Sequence, residues 1–170
     1  MTAAGVENPT GKMAIGQISE ALFLLLIPVF FGRYGFKKTI LVGMLAWAIR
    51  YVLFAYGNGS DLSFMLIIGI ALHGICYDFF FVSGQIYTNS KAGEKYKSAA
   101  QGLITLATYG IGMLIGFAVA GWITDNYKTV DGGTNWQMVW IIPAGIAFAV
   151  FMIFALFFDQ KKEIKTTVTL

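Results

Sequence analysis

Apolar residues in this chain come in long blocks, not in the alternating or short periodic runs of a compact soluble domain. The blocks cover roughly 13–31, 39–56, 64–88, 99–123 and 136–158. A helix needs about 20 residues to cross the roughly 30 Å hydrocarbon layer, so the pattern predicts an all-α membrane protein with five transmembrane helices. The breaks "GRYGFKK", "GNGSDLS", "NSKAGEKYKS" and "TDNYKTVDGGTN" carry the Gly, Asn, Asp, Ser and Lys of turns. Residues 1–12 read as a polar N-terminal tail, 13–158 as the helical bundle and 159–170 as a polar C-terminal tail.

Composition agrees with that reading. Of 170 residues, 57% are hydrophobic and 12% charged, against about 25% charged in a soluble domain. The net charge of +3 asks for no nucleic-acid partner, because Lys and Arg gather at block ends. Cys76 is the one cysteine, so no disulfide forms within the chain, and no metal or cofactor is expected. "MTAAGVENPTG" lacks the basic region that opens a cleavable signal peptide.

Basic residues are retained on the cytoplasmic side. Arg33, Lys37, Lys38, Lys91, Lys95, Lys97, Lys161, Lys162 and Lys165 fall on one side, and Lys12 and Lys128 on the other. The N-terminus is therefore expected outside and the C-terminus in the cytoplasm. An odd helix count with an outside N-terminus suggests either a signal-anchor first helix or the back end of a longer membrane protein.

Ionisable groups inside a membrane are costly, about 2.5–3.5 kcal/mol at a helix centre on insertion scales, and mark functional sites by default. Here they are Glu20, Arg50 and Asp78, accompanied by Gln17, His73, Tyr77 and Gln85. Gln17 and Glu20 share a helix face at spacing three; the alternative is a Glu20 solvated at the outer interface. Asp78 lies too deep for its short side chain to snorkel, and its alternative is a structural acid bonded to a neighbouring helix. His73 and Tyr77 share a face at spacing four, while Asp78 aligns with Gly74, Phe81 and Gln85. A lone imidazole in a bundle is as often a packing residue as a ligand. Arg50 stands at a depth close to Glu20, as a candidate structural ion pair or a snorkelling anchor. On the fourth block Gln101, Thr105, Thr108, Gly112 and Gly116 make a stripe read as a helix-packing face. The rings of "DFFF" and "FALFF" read as lipid-facing bulk. Nothing resembles a nucleophile elbow, phosphate loop or zinc site, so no enzyme is expected.

The segments "GQISEALFLLLIPVFFGRYGFKK", "MLAWAIRYVLFAYG", "YDFFFVSGQIY", "SAAQGL" and "WITDNY", in this order, resemble the C-terminal half of bacterial nucleoside permeases. These are nucleoside:proton symporters of the major facilitator superfamily, and the resemblance covers nearly everything after about residue 13. It implies that the five helices correspond to the eighth through twelfth of a twelve-helix transporter in the bacterial inner membrane. It also implies a substrate site of Gln17, Glu20, His73, Tyr77 and Asp78, with Asp78 and Glu20 as candidates for carrying the proton. Relatives usually have Tyr at the His73 position, Phe at Tyr77 and Asn at Phe81, and "GRYGFKK" has Gly32 where the superfamily loop signature carries an acid.

Such transporters bind substrate near the midplane between two halves that rock against each other. The resemblance implies that the first seven helices are absent and that the chain is a fragment, a partial gene product or one piece of a split protein with a missing N-terminal half. Two alternatives remain open: an inactive or structural membrane fragment packing with a partner, and a transporter of another polyol or sugar-like solute.

Overall fold

A computed structural model describes residues 9–130 and 132–158. Among these, four helices are long and apolar enough to cross a membrane. They are α1 (Pro9–Tyr56), α2 (Ser63–Lys91), α3 (Gly93–Asn126) and α4 (Trp136–Phe157). Residues 1–8 and 159–170 of the expected tails lie outside the described residues, while Pro9–Lys12 already belong to α1.

Where the sequence predicts helices over 13–31 and 39–56, the structure has the single run α1, interrupted at Gly35 with φ 76° and ψ 172°. That region of backbone space is essentially restricted to glycine, and holding another residue there costs of order 1–3 kcal/mol. One residue absorbs the change of direction, so "GRYGFKK" stays helical on both sides of it. The two limbs run along α2 in opposite senses. On the first limb Gly16 approaches Ile70 and His73, Ser19 approaches Gly74, and Phe23 packs on Phe79. On the second limb Arg50 meets His73, Gly43 meets Phe79, and Phe36 stacks on Tyr87 at 3.9 Å.

The loops are shorter than the sequence suggests. "NSKAGEKYKS" is polar but rich in helix-forming Lys and Glu, and it is almost wholly absorbed into α2 and α3. The reversal there rests on Ala92 and on Gly93 at φ 65°. Between α1 and α2, Asn58 Oδ1 accepts from the Ser60 and Leu62 N–H groups at 3.0 Å, closing a local turn. Asn135 caps α4 by accepting from the Met138 N–H at 3.2 Å.

The second limb of α1 is held between α2 and α4. Phe36, Ile40 and Met44 pack with Phe80, Tyr87, Phe151, Phe154 and Phe158 at one end, and Tyr51 and Phe54 pack against Trp140 at the other. By contrast α3 leans on α2 and leaves most of its surface uncovered: Ile123 is its buried residue, and Leu114, Phe117 and Trp122 are exposed. A surface so apolar requires lipid or protein around it, so the chain is an integral membrane protein.

The glycine stripe of α3 does not pack as expected. A Cβ at Gly116 would meet nothing within 4 Å. Close approach occurs at Gly74, where a Cβ would stand 2.5 Å from the Ser19 backbone. There the Ser19 hydroxyl donates to the Ala71 carbonyl, tying the first limb to α2.

Candidate functional site

Two wide helical turns of the π type interrupt the long helices, at Asp78–Val82 in α2 and Leu106–Gly112 in α3. Such turns recur at functional sites, because each shifts the faces on which side chains emerge. The first begins at Asp78. Its Ser83 N–H reaches the Asp78 carbonyl five residues back, and the fully buried Ser83 hydroxyl donates to the same oxygen at 3.2 Å.

The Asp78 side chain is 1% exposed, and both carboxylate oxygens lack a hydrogen-bond partner among the described residues. Phe79, also 1% exposed, fills the same interior against Phe23 and Phe30. "DFFF" is therefore an interhelical wedge and not lipid-facing bulk. Asp78 and Phe81, expected on one face, diverge: Asp78 is interior, while Phe81 packs beside Tyr77 at 5.3 Å and stacks on Tyr109 at 5.4 Å. "FALFF" divides, with Phe154 and Phe158 packed on the Phe36 cluster and Leu156 and Phe157 exposed.

A second group of polar residues gathers where both limbs of α1 meet α2. Arg50 Nη1 donates to His73 Nδ1 at 2.9 Å, and His73 Nε2 lies 3.8 Å from Glu20 Oε2. Arg50 and Glu20 are thus linked through the imidazole, where the sequence suggests a direct ion pair. The side chains of His73 and Glu20 are about a third exposed, at 34% and 36%. The Arg50 guanidinium also stands 5.2 Å from the Phe54 ring centroid, a cation–π arrangement that offsets part of its desolvation. Gln17 is exposed on the first limb.

Tyr77 extends this face. Its ring is 5.9 Å from His73, and its hydroxyl is 2.6 Å from that of Tyr109 on α3. Tyr109 is absent from the sequence-level site, although its spacing of four from Thr105 and eight from Gln101 puts it on the polar side of α3. Gln101 in turn donates to the Gln85 carbonyl at 2.7 Å. The Gln101 side chain thus ties α3 to the α2 backbone at Gln85.

Chemically, the half-exposed face offers a carboxylate, an imidazole, two phenols and stacked rings: hydrogen-bond groups and aromatic surface suited to a small polar ligand with a planar part. An apolar groove of about 690 Å³, bordered by Trp47, Phe80, Ile115, Val119 and Trp140, lies elsewhere and contains none of the expected site residues. It does not fit a polar ligand. Among the described residues no group of His, Cys, Asp or Glu could hold a metal ion.

Comparison with known proteins follows the same lines. The family model described as nucleoside H+ symporter matches residues 2–163. The YegT protein of Escherichia coli (strain K12) is 38% identical over 168 residues, covering 95% of this chain and 40% of that protein. The nucleoside permease NupG of Escherichia coli (strain K12) is 36% identical over 157 residues, covering 92% of this chain and 37% of that protein. The crystal structure of the nucleoside transporter NupG superimposes with a TM-score of 0.80 at 36% identity, over 88% of this chain and 37% of that one. This chain therefore spans about two-fifths of the length of the relatives it matches.

Proposed function

This chain belongs to the nucleoside H+ symporter family, and on that premise we propose that it forms one wall of a transporter that moves nucleosides with protons across the bacterial inner membrane. The observation that carries the reading is the polar and aromatic face of Glu20, His73, Tyr77 and Tyr109 at membrane depth. Polar groups are retained there when they line a substrate path. Glu20 and Gln17 hydrogen-bond sugar hydroxyls or base edges, His73 adds a ring donor, and Tyr77 with its neighbours stacks on the base. Arg50 acts through His73 and is not itself a ligand.

Asp78 is the first candidate for the coupling proton, with Glu20 second. A carboxylate that is interior yet without a partner among the described residues can take up a proton in one conformation and give it back in another, provided the surrounding helices move. The opposite directions of the α1 limbs support counting them as two crossings, five in all, corresponding to helices eight through twelve of a twelve-helix transporter. The basic residues then place the N-terminus outside and the C-terminus in the cytoplasm. Further helices outside this sequence, in the same chain or a separate one, complete the site; the uncovered surface of α3 supports this.

The test is a chimera in which this chain replaces the matched segment of Escherichia coli NupG, expressed in a strain without nucleoside uptake. Labelled uridine should enter, and excess unlabelled nucleosides should block it while sugars and polyols do not. Inhibition by sugars with no inhibition by nucleosides would reject the nucleoside reading.

A further inference from the structure

His73 stands between groups of opposite character. Arg50 Nη1 is 2.9 Å from Nδ1, and a guanidinium has N–H donors and no acceptor. The ring nitrogen facing it must supply a lone pair. A neutral imidazole then carries its proton on Nε2, the nitrogen that looks toward Glu20 Oε2 at 3.8 Å. A proton on Nδ1 would leave the Arg50 N–H without its acceptor, and protonation of both ring nitrogens would in addition set one cation against another. Protonation of Nδ1 and the Arg50 bond exclude each other.

We propose that Arg50 is a positioning residue that locks His73 in the neutral Nε2–H tautomer, aiming a donor at Glu20 and at any ligand held beside it. Uptake of a second proton releases Arg50 and unfastens the second limb of α1 from α2 at this level. The ligand part rests on the nucleoside reading above, whereas the tautomer lock does not. Every element packed around the ring contributes. The first limb brings Glu20 and the backbone at Gly16. The second limb brings Arg50, whose field also takes in Tyr51 and Cys76. From α2 comes Tyr77, fastened to Tyr109 of α3. The Phe54 ring holds the guanidinium from the other side.

His73 is the chain's one histidine, so labelling histidine nitrogen reports a single ring. The full chain, purified into lipid nanodiscs through a histidine-free tag, is examined by nitrogen NMR near neutral pH. The expected spectrum shows Nδ1 as an acceptor and Nε2 bearing the proton. Arg50→Met should give a mixture of tautomers, and Arg50→Lys, which keeps a donor, should restore the single form. Acidification of the unmodified chain should protonate both nitrogens, so that the Nδ1 resonance moves from its acceptor position to that of a proton-bearing nitrogen.

A wild-type ring with its proton on Nδ1, or a spectrum unchanged in Arg50→Met, overturns the proposal. If Arg50→Met does not fold, the wild-type spectrum decides alone. Uridine added to the chimera described above, with its other histidines left unlabelled by segmental ligation, should perturb Nε2. A locked tautomer indifferent to uridine counts against the ligand part and the nucleoside reading, while a broken lock with uridine sensitivity counts against Arg50.

Discussion

Asp78 and Tyr109 mark what single residues reveal. Asp78 stands out in the sequence because a carboxylate within an apolar block is costly, and in the structure it is buried. Its neighbours were harder to read: an ideal helical wheel aligns it with Phe81, and the wide turn from Asp78 to Val82 separates them. Tyr109 escaped because a tyrosine in an apolar run carries no charge signal, although its spacing placed it on the right face. Breaking a buried pair leaves an uncompensated charge, but Asp78 has no partner to lose among the described residues. Asp78→Asn should therefore hold or raise the thermal midpoint of the chain, with up to about 3 kcal/mol of desolvation relieved. In the chimera the same change should reduce uridine accumulation to the external concentration. Unchanged accumulation would remove Asp78 from the proton role, and a lowered midpoint would show that its carboxylate is paired.

At the scale of elements, hydropathy finds the apolar segments, because lipid imposes a length that turns cannot imitate. Where it predicts five helices, however, the described residues hold four long enough to cross a membrane, the first two blocks lying in the single run α1. It also misjudged the segments' ends and their contacts. Polar residues that also favour helix, as in "NSKAGEKYKS", extend α2 and α3 beyond the apolar blocks. A glycine stripe is visible in α3, yet the closest backbone approach is at Gly74 in α2, where only the fold reveals the opposing Ser19. The two glycines make a paired prediction. Gly74→Ala forces a methyl group into the Ser19 backbone and should destabilise by about 1–3 kcal/mol, as overpacking does. Gly116→Ala enters open space and should gain about 0.5–1 kcal/mol from helix propensity. Thermal unfolding of both variants in the same detergent checks the order, and equal midpoints would contradict the packing described here.

Across the whole molecule, the first limb of α1, α2, the second limb and α4 form a connected body, and α3 is attached along one side. Polar groups converge on the face shared by the first limb, α2 and α3, while lipid-compatible side chains cover much of the rest. The resemblance in sequence identified the family more sharply than periodicity did, because it spans several separated segments in one order. A face is not a chamber, however: enclosing a nucleoside requires protein on the opposite side, and the chain covers 37% of the NupG length. The most direct test of a face completed by further helices is tritiated uridine accumulation, with and without a protonophore, in a strain lacking nucleoside uptake. The cells express this chain, the preceding portion of Escherichia coli NupG, or both. With both present, uridine should accumulate above its external concentration and the protonophore should collapse it, while each piece alone should give background. Accumulation by this chain alone, or background uptake when both pieces are inserted in the membrane, would contradict the account.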